Sequence, residues 1–220
     1  MNISIFDVTG PVMIGPSSSH TAGAARLARI AGIIAAKPFT HVSFGLHGSF
    51  AKTYKGHGTD IALVAGALGI REDDENLIRA LETARERGIG YDVYEAHMEN
   101  VHENTVKMDF TLQDGGSCQV VGSSIGGGRV IITEINGYQV EMNDSSPMLL
   151  IHQIDRVGAI SEITHILSER NINIAVMKLS RSYKGGNAFC MIETDAFISE
   201  DIAEKINALP QIISVQAVNL

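Results

Sequence analysis

The chain has 220 residues, 45% of them apolar, and a formal net charge of −8. That length suits two domains, and the acidity argues against nucleic acid and anionic membranes, both of which favour basic surface. No apolar run reaches the ~18 residues of a membrane helix, and the start, Met1 to Asp7, lacks the basic region and long apolar core of a signal peptide. The two cysteines, Cys118 and Cys190, make no disulfide framework and point to a reduced, cytoplasmic setting.

In chain order, Ile3 to Val8 is a short apolar run that suggests a strand. Gly15-Pro16-Ser17-Ser18-Ser19-His20-Thr21 follows, the densest run of hydrogen-bonding side chains in the sequence. Gly and Pro set a turn, and Ser or Thr caps the helix expected from about Thr21 to Ala36, which Lys37-Pro38 ends. A helix start stabilises a carboxylate or phosphate, and an imidazole there can move a proton near neutral pH. Taken alone, the pattern fits an ordinary N-cap with a surface histidine more readily.

His41 to Phe50 alternates and predicts a strand. Lys55-Gly56-His57-Gly58-Thr59-Asp60 is a second polar, glycine-bearing loop, leading into a buried helix that Gly69 stops. The arrangement of histidine, hydroxyl and helix start has therefore repeated. Asp73 to Arg87 is amphipathic, with Leu77, Ile78 and Leu81 expected inward. Strands are expected at Asp92 to Glu95, Val106 to Leu112, Cys118 to Ser124, Arg129 to Ile135 and Tyr138 to Met142, the last two joined by an Asn136-Gly137 hairpin. His41, His47, His97, His152 and His165 are assigned no role. Cys118 and Cys190 each lie in an apolar strand and read as core residues.

Asn143 to Pro147 is turn-rich and sets the expected boundary between domains 1–145 and 146–220. Beyond it come a strand (Met148 to Ile154), a helix (Ala159 to Arg170) with Ile160, Ile163, Ile166 and Leu167 on one face, strands at Asn171 to Ser180 and Asn187 to Glu193, a helix from Ser199, its cap, to Leu209, and a strand at Ile212 to Val218. That order is βαββαβ, the ferredoxin-like split unit, and the fold class is α+β.

The C-terminal region resembles an ACT domain, a regulatory module that binds small amino acids. The βαββαβ order and the Asp155-x-x-Gly158-x-Ile160 turn carry the resemblance, which makes Asp155, Gly158 and Ile160 the expected effector site. The first 145 residues resemble the beta chain, or beta region, of the iron–sulfur-dependent L-serine dehydratases. Four segments carry this: Gly15 to Thr21; Gly48-Ser49 with Lys55 to Asp60; His102-x-Asn104-Thr105; and Ser124-Ile125-Gly126-Gly127-Gly128. This region of the family looks like the allosteric substrate-binding domain of some phosphoglycerate dehydrogenases.

The resemblance implies conversion of L-serine to pyruvate and ammonia, with His20 and His57 as catalytic groups. Ser17, Ser18, Ser19 and Thr59 are expected to hold the carboxylate, Asp60 to orient an imidazole, and His102 and Asn104 to line the site. It also implies a 4Fe–4S cluster. Such clusters usually take four thiolates, so no metal site is expected in this chain, and a cluster-bearing alpha chain is implied as partner. Association through the ACT domains is a further expectation. The alternative is a purely regulatory, amino-acid-sensing subunit with no catalytic residue.

Overall fold

The computed structural model describes residues 12–219, and the strand expected at Ile3 to Val8 lies outside them. By internal contacts the chain divides into two units. The first runs to Gly137 and includes Glu141–Asp144; the second takes Tyr138–Val140 and everything from Ser145 on.

In the first unit, a π-helical turn at Ser18–Gly23 runs directly into α1, Ala24–Ala35. Ala36 closes α1 in the left-handed region, at φ 58°. Strand β1 (Phe39–Leu46) is followed by α2 (Gly48–His57) and α3 (Thr59–Ala67). A 3₁₀ turn, Glu75–Arg79, leads into α4 (Ala80–Glu86). Then come β2 (Gly90–Glu95), β3 (Thr105–Leu112), β4 (Ser117–Gly126), β5 (Arg129–Ile135) and β6 (Tyr138–Met142). The sheet order is β2-β1-β3-β4-β5-β6. Strands β1 and β2 pair in parallel, while β1–β3, β3–β4 and β4–β5 are antiparallel. Asn136 and Gly137 both take positive φ, 49° and 83°, as the expected hairpin turn requires. Helix α1 packs against α3 and β4, over a core that includes Leu27, Ile30, Phe44, Leu63, Met108 and Ile132.

Three expectations are corrected here. The strand expected at His41 to Phe50 ends at Leu46, because the chain turns at Gly48 (φ 56°). A side chain at Gly48 would collide with Glu103, whose carbonyl accepts the Ser49 N–H at 2.8 Å and starts α2. The polar loop expected at Lys55 to Asp60 is instead the end of one helix and the start of the next, separated only by Gly58 at φ 63°. The helix expected from Asp73 is a 3₁₀ turn before α4, and the change of winding leaves Ile78 67% exposed rather than inward, while Leu77 is buried.

The second unit comprises β7 (Met148–Ile154), α5 (Ala159–Glu169), β8 (Ile174–Arg181), β9 (Asn187–Thr194), α6 (Glu200–Asn207) and β10 (Ile212–Val218). Its antiparallel sheet has the order β10-β7-β9-β8, which is the ferredoxin-like topology. The helices bury Ile163, Leu167, Ile202 and Ile206 against Leu149, Ile151, Cys190 and Ile192 of the sheet. Ser199 occupies the N-cap position of α6, but its hydroxyl donates to the Asp201 carboxylate instead of capping the backbone.

Candidate active site

The π-helical turn begins where Ser17, in extended conformation, accepts the His20 N–H on its hydroxyl at 3.1 Å. The expected cap is present, and it fixes the backbone of the histidine itself. The Ser17 carbonyl accepts both Thr21 N–H and Ala22 N–H, at 3.0 and 3.2 Å, which widens the turn. The widening needs Gly23, because a Cβ there would overlap the hydroxyl of Ser124.

The structure brings His20 and His57 together. Their ring centroids are 4.9 Å apart, with the planes tilted by 32°. His20 reaches the pair from the π-turn, and His57 is the last residue of α2. The Thr21 hydroxyl donates to the His57 carbonyl at 3.1 Å and ties the two elements. The His57 Nδ1 lies 3.3 Å from the Thr53 carbonyl one turn back. A carbonyl only accepts, so this contact makes Nδ1 the protonated nitrogen and leaves Nε2 outside it. His20 Nε2 lies 3.1 Å from Ser49 Oγ, and Phe50 meets the His20 ring edge-on at 5.3 Å. Both rings are half-buried. Burial, and secondly the charge of His57, hold the His20 imidazole below its ordinary pKa, so His20 is mostly neutral near pH 7.

The other expected residues divide. Ser18 and Ser19 lie in the π-turn beside His20. Thr59, in the first turn of α3, is fully buried, and its hydroxyl has no hydrogen-bond partner among the described residues. The buried Oδ1 of Asn104 and Oγ of Ser124 are equally unpartnered. These two residues adjoin across the sheet, where Ser124 N–H donates to the Asn104 carbonyl at 3.0 Å. Asp60 holds no imidazole among the described residues; its carboxylate accepts the N–H of the adjacent Ile61 at 2.9 Å. His102 is exposed and folds back on its own loop, its Nδ1 accepting the Asn104 N–H at 3.1 Å. An apolar cavity of about 200 Å³ borders His57, lined among others by Ile14, Thr21, Gly58, Ile61 and Leu77.

Sequence reasoning gives no role to Ser49, Phe50, Thr21 or Thr53. The alternating pattern carries the expected strand through Gly48-Ser49, and the signal that could have corrected this is the glycine that ends β1. His41, also without an assigned role, pairs with Asp92 at 2.6 Å on the exposed side of β1 and β2.

In the second unit, Asp155 accepts from Arg181 Nη1 at 2.9 Å and from the Gly185 N–H at 3.1 Å. Gly158, at φ 91°, precedes α5, and Ile160 packs against the core. Among the described residues no three His, Cys, Asp or Glu side chains are grouped as metal ligands. Cys118 and Cys190 are buried, and burial pushes their thiols up to about 11 and about 12. The residues present do not fit an iron–sulfur cluster.

Fold and site together define a two-unit α+β protein, with two imidazole rings brought together in the first unit and a ferredoxin-like second unit. Two family models match the chain. The family model "Serine dehydratase beta chain" matches residues 4–135, and "ACT domain" matches residues 148–211. The chain is 39% identical over 212 residues to the probable L-serine dehydratase beta chain of Bacillus subtilis, covering 96% of each. It is 38% identical over 204 residues to the L-serine dehydratase beta chain of Peptoniphilus asaccharolyticus, covering 92% of each. The expected likeness to phosphoglycerate dehydrogenase is also found: 84% of this chain aligns at 29% identity with 35% of D-3-phosphoglycerate dehydrogenase from Bacillus subtilis. The chain belongs to the serine dehydratase beta chain family.

Proposed function

We propose that this chain is one half of an enzyme that converts L-serine to pyruvate and ammonia, and that it contributes His20 and His57 to a site completed by an alpha chain. The observation that carries the proposal is the 4.9 Å approach of the two rings. Elimination needs a base for the α-proton and help for the departing β-hydroxyl. A neutral imidazole with a lowered pKa suits the first task near pH 7. His20 can accept the proton at Nδ1 when Nε2–H donates to Ser49 Oγ, and His57 offers Nε2. On this reading the substrate carboxylate is held by the hydroxyls and unpaired backbone N–H groups at the helix starts of Ser18 and Thr59. The aminoacrylate released then tautomerises and hydrolyses to pyruvate and ammonia.

This chain lacks the ligands for a 4Fe–4S cluster, so on this reading the cluster belongs to the alpha chain, where its Lewis acidity would assist loss of the hydroxyl. Two free, buried thiols fit a reducing, cytoplasmic setting, and among the described residues no helix is long and apolar enough to cross a membrane. Self-association through the second unit belongs to the same reading, because edge strand β8 exposes Val176, Met177 and Leu179.

The test is to co-purify the chain with its alpha chain and follow pyruvate formed from L-serine. Removing the base should lower kcat by about 10²- to 10⁴-fold, so His20→Ala or His57→Ala should show a loss of that order with the complex intact. Full turnover by both variants overturns the proposal. If the alpha chain alone turns over serine, and this chain alters only the half-saturation point, it is a regulatory subunit.

A further inference from the structure

The two imidazoles sit on elements that are tied together at both ends of α2. At its first turn, the Ser49 hydroxyl lies 3.1 Å from His20 Nε2. At its last residue, the His57 carbonyl accepts the Thr21 hydroxyl at 3.1 Å. Consecutive residues of the π-turn thus hold opposite ends of one helix. Between them, the Thr53 hydroxyl donates to the Ser49 carbonyl at 2.8 Å, and the Thr53 carbonyl lies 3.3 Å from His57 Nδ1. The contacts run from His20 through Ser49, Thr53 and His57 to Thr21 and close a ring.

The two ties are not equivalent. The Ser49 end of α2 is also fixed through its backbone, where the Ser49 N–H donates to the Glu103 carbonyl at 2.8 Å. The His57 end is looser in kind. Gly58 follows at φ 63°, a backbone with more freedom than any other, and helix ends fray. The apolar cavity of about 200 Å³ borders His57, so packing leaves room for the residue to shift.

Thr21 is suited to hold that end. It is 2% exposed, and its own N–H is held by the Ser17 carbonyl. A Cβ on Gly15 would overlap its methyl group, so the methyl packs on Gly15 while the hydroxyl meets His57. A β-branched side chain has few rotamers, and both contacts select the same one. A hydroxyl on a helix-end carbonyl can serve simply to satisfy that carbonyl, a role that predicts a loss of stability alone. Here the donor is the neighbour of one imidazole and the acceptor belongs to the other. Releasing the His57 carbonyl therefore frees its ring to move relative to His20.

We propose that Thr21 is a positioning residue, whose hydroxyl bond to the His57 carbonyl sets the separation of the His20 and His57 rings. Its consequence for turnover rests on the catalytic reading of the pair given above. The ring geometry does not.

The test compares Thr21→Val, which keeps the shape and removes the donor, with Thr21→Ser, which keeps the donor. In the full chain, nuclear magnetic resonance reads the cross-ring Overhauser contact between His20 and His57 and the titration midpoint of His20. Thr21→Val should weaken the contact. Burial is the larger cause of the low His20 midpoint and the charge of His57 the smaller, so the midpoint should rise part of the way, toward its value in His57→Ala. Thr21→Ser should retain both signals. In the complex with the alpha chain, Thr21→Val should lower kcat by about tenfold to a hundredfold, the scale of a misplacement of about 1 Å. KM should change less, and Thr21→Ser should keep most of the rate.

An unchanged ring contact and His20 midpoint in a folded Thr21→Val chain overturn the proposal. Loss of both signals in Thr21→Ser overturns it equally, because the hydroxyl is still there. If Thr21→Val loses the ring contact while kcat holds, Thr21 positions the pair as proposed and the catalytic reading of the pair fails instead. Should Thr21→Val not fold, Thr21→Ala makes the same comparison with Thr21→Ser.

Discussion

Each unit has a polar junction ahead of a helix, and the two junctions are built to different ends. At Ser17–Gly23 one hydroxyl caps the His20 backbone, while two imidazoles stay half-buried and the hydroxyls of Thr59 and Ser124 remain unpartnered. At Asp155–Gly158 one carboxylate oxygen, Oδ2, already accepts from both Arg181 and the Gly185 N–H. A polar residue at a helix start is open to a ligand only where the protein leaves its hydrogen-bonding capacity unfilled. The first junction meets that condition. In the second, Asp155 closes the turn between β8 and β9, and helix α5 is held by apolar packing.

The contrast can be broken by substitution. The largest effect is expected from Leu167→Ala, which removes a fully buried side chain from beneath α5. A loss of about 3 kcal/mol is expected in urea unfolding, within the usual range for such truncations. A loss below about 1 kcal/mol would mean that packing does not anchor that helix. In the first unit the corresponding weak point is Gly23. Gly23→Ala forces a Cβ into the Ser124 hydroxyl and should cost about 2 kcal/mol, the scale of overpacking. Adding Ser124→Gly should restore much of that loss. Failure of the second change to compensate would show that the π-turn does not depend on this contact.

The second unit is legible in the sequence almost element by element, because its helices and strands are short apolar or amphipathic runs separated by turn residues. The first unit is less so, for identifiable reasons. Gly45-Leu46-His47-Gly48-Ser49-Phe50 keeps an alternating pattern past the end of β1, and nothing local announces that Glu103, more than 50 residues on, will accept the first N–H groups of α2. Gly58 reads as loop, although one residue in the left-handed region is enough to separate a pair of helices. The imidazole pair is expected from two motifs and a resemblance. Its polar partner Ser49 is not, since a residue on an alternating stretch gives no sign of pointing at a histidine 29 positions earlier.

A smaller effect, and a sharper probe of the first junction, is the titration of His20. Its midpoint, followed by nuclear magnetic resonance, should lie below the ordinary histidine value of about 6.5. His57→Ala should raise it, though not fully, because burial is the larger cause. The sign for stability follows. The unfolded chain takes up the proton more readily than the folded one, so stability falls as pH drops from about 6.5 toward the folded midpoint. His20→Asn should flatten that slope. A midpoint at or above 6.5 would remove the argument that His20 is neutral at working pH.

The smallest effect should come from Asp155, whose junction is exposed. Its carboxyl is held below the usual range first by the Gly185 N–H and then by Arg181. The folded value is therefore the lower one. What the carboxylate contributes is present above the unfolded value of about 3.9 and is lost as pH falls through the folded value. Asp155→Asn should leave stability at pH 7 nearly unchanged, since exposed ion pairs are weak, and should soften the loss on acidification. The clearer signal is local: the Gly185 amide should exchange faster with solvent in the variant, because its acceptor has lost its charge. Unchanged exchange at Gly185 would mean that Asp155 does not close that turn, and its carboxylate would again count as free for an effector.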